Sequence, residues 1–370
     1  MLISDFLAVA YEQTLRLGRS KFRLAVLGSI LLIVIFINGI GDVPEAPYQR
    51  LAENPFVTRT DIHFNNYWQE NPLLPVIAYV LGLSSPAAFR ILCFCVILGG
   101  FLLFERLSRR RWGPEHGLIF TVLLMTSPLT TVMLTWLGTP DGLTLALTIP
   151  FLFSRSTPLF FFLSILGTAN HPAFTMAALE ILILRWAARD GINFRHALVS
   201  GIGIVTGYGL VRWFLAVHHI EIVSRADFML LRDAGEWLKM NASNLPISLF
   251  SLFNLHGWIL PVCLLMFFKR DRTFFSLALT FLAVNYGFTF FTLDTTRVFS
   301  LLSWGVLFAV IFHSNTLSHT AGDAGAETQQ QFLQALIVIS LASIFSPRYF
   351  SWAGEIHVTP FYPLMRKVFR

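Results

Sequence analysis

Charge is what this 370-residue chain has least of: Asp, Glu, Lys and Arg together make up 13% of it, about half the share in a soluble globular domain. With 55% hydrophobic residues and 37 phenylalanines, the chain holds far more apolar surface than a water-soluble core can bury. That excludes a soluble enzyme and a disordered chain. Cysteine is also scarce. Cys93 and Cys95 stand two apart in one apolar run, where helical neighbours do not face each other, and Cys263 is in another run. Neither a disulfide framework nor a zinc pattern is present. No repeat with a period of roughly 20–50 residues is evident. The first apolar run starts at Leu24 and lacks a small-residue cleavage site before Asp42, so it is not expected to be a cleaved signal.

What is there is a mean hydropathy of +0.64, concentrated in runs. A helix crosses a bilayer with about 20 apolar residues, fewer where the bilayer thins. Eleven runs qualify: 24–40, 86–105, 117–136, 141–153, 157–169, 172–187, 197–216, 246–268, 273–292, 298–313 and 332–346. They predict an all-α polytopic membrane protein with about 11 transmembrane or re-entrant helices. The fourth and fifth runs are short and read as two short spans or one re-entrant hairpin. Residues 1–346 are expected to form the transmembrane domain, with 41–85 as a first outside loop containing short helices. Residues 217–245 read as an amphipathic outside segment, 314–331 as a flexible inside loop, and 347–370 as a C-terminal tail.

The net charge of +6 follows membrane topology rather than nucleic-acid binding, because cytoplasmic loops collect Lys and Arg. Arg16, Arg19, Lys21 and Arg23, then Arg106 with Arg109–Arg111, then Arg155, then Arg185, Arg189 and Arg195, then Lys269, Arg270 and Arg272 fall in alternate loops. The N-terminus is therefore expected inside and the tail, with Arg366, Lys367 and Arg370, outside. This orientation sorts the polar residues. Asp42, Asp61, His63, Glu70, Asp141, His171, Asp294 and Arg297 all fall at the outer face. Charged groups at membrane depth are expensive and face a cavity or a partner, so this cluster points to an outward-opening site. Asp42 also reads as a solvated residue ending a helix. Thr139-Pro140-Asp141 and Asn170-His171-Pro172 also read as helix caps. Asp294 and Arg297, three apart, suit an ion pair or a phosphate clamp. Glu180 and Arg90, inside apolar runs, suit a buried pair or a cavity lining, and Arg212 suits snorkelling.

The order of these features resembles the GT-C superfamily of membrane glycosyltransferases, with lipid A aminoarabinose transferases and protein O-mannosyltransferases as look-alikes. The resemblance covers about residues 20–155. Its marks are Asp42 after the first span, then Tyr48-Gln49-Arg50-Leu51-Ala52 and Tyr67-Trp68-Gln69-Glu70-Asn71-Pro72-Leu73. Ser85-Pro86-Ala87-Ala88-Phe89-Arg90, the basic Arg109-Arg110-Arg111-Trp112-Gly113, Ser127-Pro128 and Pro140-Asp141 follow in family order. Val43 stands where the family has a second acid, and only Pro72 precedes Leu73.

The resemblance implies an inverting transferase that takes a sugar from a polyprenyl-phosphate carrier to an acceptor hydroxyl on a glycan, lipid or protein. The setting implied is the outer face of a bacterial cytoplasmic membrane. Asp42 would be the general base, with Asp61 as alternative, and Asp141 would orient its loop or bind sugar. Arg297, a candidate from charge alone, would stabilise the leaving phosphate. Asp294, Glu70, His63, His171 and Arg90 are further substrate-binding candidates. No cofactor is required, and a divalent metal on Asp42 and Asp141 is the alternative. Competing readings are a transporter or flippase of a lipid-linked or anionic substrate, and a non-catalytic assembly subunit with a GT-C-like scaffold.

Overall fold

Apolar runs become helices here because a backbone in lipid must satisfy its own hydrogen bonds, and Pro, Gly and Ser decide where each helix stops. The computed structural model describes residues 2–41, 47–60, 64–223, 227, 233–243, 245–319 and 323–359. In chain order the helices are α1 (Leu2–Arg19), α2 (Arg23–Asn38), α3 (Pro47–Glu53), a 3₁₀ helix (Phe64–Glu70), α4 (Leu73–Val80), α5 (Pro86–Trp112), α6 (Pro114–Met125), α7 (Pro128–Thr135), α8 (Asp141–Phe153) and α9 (Thr157–Asn170). There follow α10 (Ala173–Ala187), α11 (Phe194–Val217), α12 (Ala234–Ala242), α13 (Leu245–Phe253), a 3₁₀ turn (Asn254–Trp258), α14 (Ile259–Phe267), α15 (Arg272–Thr289), α16 (Thr295–His319) and α17 (Asp323–Phe345).

The protein is an all-α membrane protein. Five helical segments are long and apolar enough to cross a bilayer: Pro86–Trp112, Phe194–Val217, Leu245–Phe267, Thr295–His319 and Ala326–Phe345. The number reaches seven if two bent pairs, α1 with α2 (117°) and α6 with α7 (52°), each count as one span. Helix α16 is the central post: nearly all of its apolar stretch is buried, while α5 and α11 leave large side chains such as Leu102 and Val205 exposed.

Several expectations need correction. The run 117–136 is broken, because Pro128 has no N–H to give and the Ser127 hydroxyl accepts from the Thr130 N–H (3.4 Å), starting a new helix. The run 246–268 is interrupted at Asn254, which takes a left-handed φ of 47°. The supposed loop 314–331 is largely helical: α16 continues to His319 and α17 begins at Asp323. Its Ala, Gln and Glu residues are good helix formers. The tail contains an antiparallel hairpin, β1 (Tyr349–Trp352) with β2 (Glu355–Val358), in register Tyr349 to Val358. Its two-residue turn, Ala353-Gly354, has both φ values positive (51° and 77°), the geometry that matches strand twist. Asn170 ends α9 rather than opening α10.

Helices α9 and α11 pack closely, and small residues make this possible. A Cβ on Gly203 would sit 2.6 Å from the Phe161 carbonyl, and one on Gly207 2.6 Å from the Ile165 carbonyl. The Ser164 and Ser200 hydroxyls bond across the seam at 2.6 Å. Gly-x-x-x-Gly spacing lets membrane helices approach this way. Gly203→Leu is expected to force the helices apart and to cost about 1–3 kcal/mol. Gly201→Leu, at a position with open space around it, is the control. Melting of the two variants in detergent checks this; equal melting would mean that the seam is not tight.

Four helices run the same way. Arg297 at the start of α16 bonds Asp141 at the start of α8, Asn170 just before α10 bonds the Pro140 carbonyl, and Gly142 packs on Ile97 and Cys93 of α5. Their other ends also meet: Arg111, Leu152, Arg185 and His313 line one cavity. The bundle therefore has an Asp141 end and an Arg185 end. The 13 residues of α8 separate them, about 20 Å at 1.5 Å per residue.

Candidate functional site

At the Asp141 end, three charged side chains lock together. Arg297 Nε and Nη2 donate to the two Asp141 carboxylate oxygens (2.7 and 3.0 Å), a bidentate pair, and Nη1 donates to Asp294 at 2.9 Å. Asp141 is fully buried and Arg297 is 7% exposed. Asp141 sits in the first turn of α8, where the helix dipole favours an acid. The His171 ring, between α9 and α10, also acts electrostatically on Asp141, and its Nδ1 accepts from the Ala173 N–H at 3.2 Å. Asn170 donates to the Pro140 carbonyl (3.0 Å) and the Thr144 hydroxyl (2.9 Å), which fixes the entry to α8.

This geometry limits the chemistry. Both oxygens of Asp141 accept from Arg297, so this carboxylate stands in an ion pair rather than free. Two carboxylates face one guanidinium, so the group carries no surplus positive charge for a phosphate. Among the described residues, no group of three or more His, Cys, Asp or Glu is placed to hold a metal ion. The triad's clear capability is positional: it pins α8 to α16.

The other sequence candidates separate. Glu70 closes the first 3₁₀ helix and pairs with Arg212 at 3.4 Å, on the α11 side. Arg212 also donates to the Tyr208 hydroxyl from Nε (3.0 Å) and Nη2 (2.7 Å), so it is held by partners rather than snorkelling alone. Arg90, in the first turns of α5, is half-buried, and its Nε has no acceptor among the described residues. Glu180 pairs not with Arg90 but with Asn285, whose Nδ2 donates at 3.0 Å. Asp42, Asp61 and His63 lie outside the described residues. The residues on either side of Asp42 are anchored at this end: the Gly41 N–H bonds the Leu134 carbonyl of α7 at 2.8 Å, and Asn71 donates to the buried Tyr48 hydroxyl at 2.6 Å. The Tyr48 and Trp68 rings lie tilted to one another, with centroids 5.0 Å apart.

Sequence reasoning missed Arg348. It follows Ser346-Pro347 just past α17 and is 1% exposed. Its Nη1 donates to the Thr131 hydroxyl of α7 (3.3 Å) and its Nη2 to the Ser343 carbonyl (3.0 Å). Burial pulls the guanidinium down to about 9, and no acid among the described residues offsets that cost. Buried charges are normally paired. The signal in the sequence was an arginine directly after an apolar run, beyond a proline that ends the helix.

The chain matches no family model, no curated protein and no solved structure. Its site must be judged on its own geometry.

The Arg185 end is also charged. Asp190 accepts from Arg111 (2.6 Å) and Arg155 (3.1 Å) on one oxygen and from Arg185 (2.8 Å) on the other. Burial pushes the Asp190 carboxyl up, but the Arg185 and Arg111 guanidiniums outweigh this and hold it below the usual carboxylate range.

Proposed function

We propose that the protein is an integral membrane glycosyltransferase that works at its Asp141 end, taking a sugar from a polyprenyl-phosphate carrier. In this reading about eleven helical segments alternate across a bacterial cytoplasmic membrane, with the N-terminus inside and the Asp141 end outside. The observation that carries it is a juxtaposition on α7. Gly41, next in the chain to Asp42, bonds Leu134, and Arg348, a buried cation with no acid partner among the described residues, bonds Thr131 one helical turn away. A general base and a phosphate-binding cation are the two groups that such a transfer needs.

In the reaction, the acceptor oxygen attacks the anomeric carbon while Asp42 takes its proton. The bond from that carbon to the phosphate oxygen breaks, and the electron pair leaves with the polyprenyl phosphate. Attack from the face opposite the phosphate inverts the configuration. Arg348 faces the charge that develops on the phosphate, and preorganised charge of this kind stabilises a transition state. Asp141 and Asp294 hold Arg297 and are positioning residues. This moves the phosphate role from Arg297 to Arg348, because Arg297 is already neutralised.

The test is mass spectrometry of lipid-linked sugars and envelope glycans after deletion of the gene. Deletion is expected to cause one lipid-linked sugar to accumulate and one glycan to lose it. Wild type restores both; Arg348→Gln restores neither while melting no lower than wild type. Unchanged lipids and glycans would end the proposal.

A transporter of a lipid-linked or anionic substrate is the second reading, favoured by one observation. Two interrupted helical segments meet where His256 Nε2 lies 3.0 Å from the Leu123 carbonyl and 3.3 Å from the Thr126 hydroxyl. Discontinuous helices line the binding sites of many transporters. Uptake without any change in glycan composition would favour this reading.

A further inference from the structure

At the Arg185 end, the cavity between α5, α8, α10 and α16 has a volume of about 150 Å³. That is below the range of drug-sized pockets and suits one small polar group. Arg111, Arg155, Arg185 and Arg189 line it against a single carboxylate, Asp190. His313, also on the lining, is taken by Asp271 at 3.0 Å. The arginines are therefore in excess.

Their placement is built into the backbone. Arg185 Nη1 donates to the Phe151 (2.5 Å) and Ser154 (2.6 Å) carbonyls at the end of α8, and Arg111 Nη1 to the Leu152 carbonyl (3.2 Å). These bonds satisfy carbonyls that a helix end leaves open. Gly191, at φ 68°, makes room for Arg155: a Cβ there would lie 2.6 Å from its Nε. Arg189 takes a left-handed φ of 55°, which a residue with a side chain rarely adopts.

One donor is left over. Arg185 has a side chain 4% exposed, and its Nη2 has no acceptor among the described residues. A buried donor without an acceptor costs free energy, and Arg185 holds the end of α8 while the more open Arg111 and Arg155, 27% and 64% exposed, offer donors to an oxyanion in the cavity. Arginine's planar fork is suited to phosphate oxygens.

We propose that this cavity is a phosphate-binding site, separate from the transfer reaction and about one α8 length from it. The ligand is a phosphate group with at least two free oxygens to accept from the arginines. It comes either from a lipid headgroup at the membrane surface, where basic pockets between helices take such groups, or from free phosphate in solution.

The experiment uses the full chain in neutral detergent and in nanodiscs. In the first arm, inorganic phosphate is titrated against chloride of equal ionic strength, with melting temperature as readout. In the second, native mass spectrometry compares retention of phosphatidylglycerol with phosphatidylcholine after release from mixed nanodiscs. Arg155→Gln with Arg189→Gln is the test variant, because Arg155 is largely exposed and its loss leaves the Arg185 clamp intact. Arg16→Gln, an exposed arginine on α1, is the control. The expected result is binding by wild type and by the control, weakened at least about tenfold in the test variant. A positive first arm identifies free phosphate, and a positive second arm a lipid headgroup. Binding in neither arm, binding unchanged in the test variant, or equal weakening in the control overturns the proposal.

Discussion

Asp141→Asn is expected to destabilise the protein by about 3–5 kcal/mol, the usual cost of breaking a buried ion pair from one side. Asp141 is wholly buried, and both its oxygens accept from Arg297. An asparagine of the same shape keeps one acceptor and turns an amide N–H₂ towards a guanidinium that can only donate. Among the described residues Arg297 would retain Asp294 as its carboxylate partner, one more open to solvent than Asp141. The measurement is the unfolding midpoint in detergent at fixed protein and detergent concentrations. Asp141→Asn combined with Arg297→Gln removes the stranded charge and is expected to recover more than half of the loss. If the single variant melts like wild type, the triad does not hold α8 to α16. If the double variant is worse than the sum of the two singles, the pair is not the unit of stability.

Asp42→Asn is expected to abolish sugar transfer with no change in melting. General-base assistance contributes about 10²–10⁴-fold, so the rate in washed membranes supplied with lipid-linked donor should fall by that factor. The contrast with Asp141 separates the two acids: one should lose rate at constant stability, the other stability first. Normal transfer by Asp42→Asn would remove it as the base. Asp61→Asn, made in parallel, then shows whether the other acid in that loop takes the role.

Which parts could be read from the sequence follows from the range of the interactions. The apolar runs gave the helices, because a helix in lipid satisfies its backbone locally. The pairing of Asp294 with Arg297 was legible, since three residues apart is one helical turn. The bends were harder. Ser127-Pro128 lies inside a run that hydropathy alone reads as continuous, although serine before proline is a helix-start signal. The interruption at Asn254–Trp258 has no such mark and depends on His256 reaching α6. Asp141 and Arg297 are 156 residues apart; alternation of loops placed both at one face, but nothing local could make them partners. Arg348 was hidden for the opposite reason. It looked like an ordinary arginine in the C-terminal tail, and its burial depends on partners distant in sequence, such as Thr131 of α7. The arginines around Asp190 were read as topology signals, which accounts for their number and not for the cavity that they enclose.

The span between Asp141 and Arg297 also constrains how the chain is made. At about 5–20 residues per second, a ribosome needs roughly 8–30 s to travel from the first to the second. During that interval the acid at the head of α8 has no α16 guanidinium to meet it. The early helices must therefore wait in a provisional arrangement, with that carboxylate kept near water or in the insertion machinery, until α16 arrives. Completion of the triad marks the moment at which the first half of the protein is secured by the second.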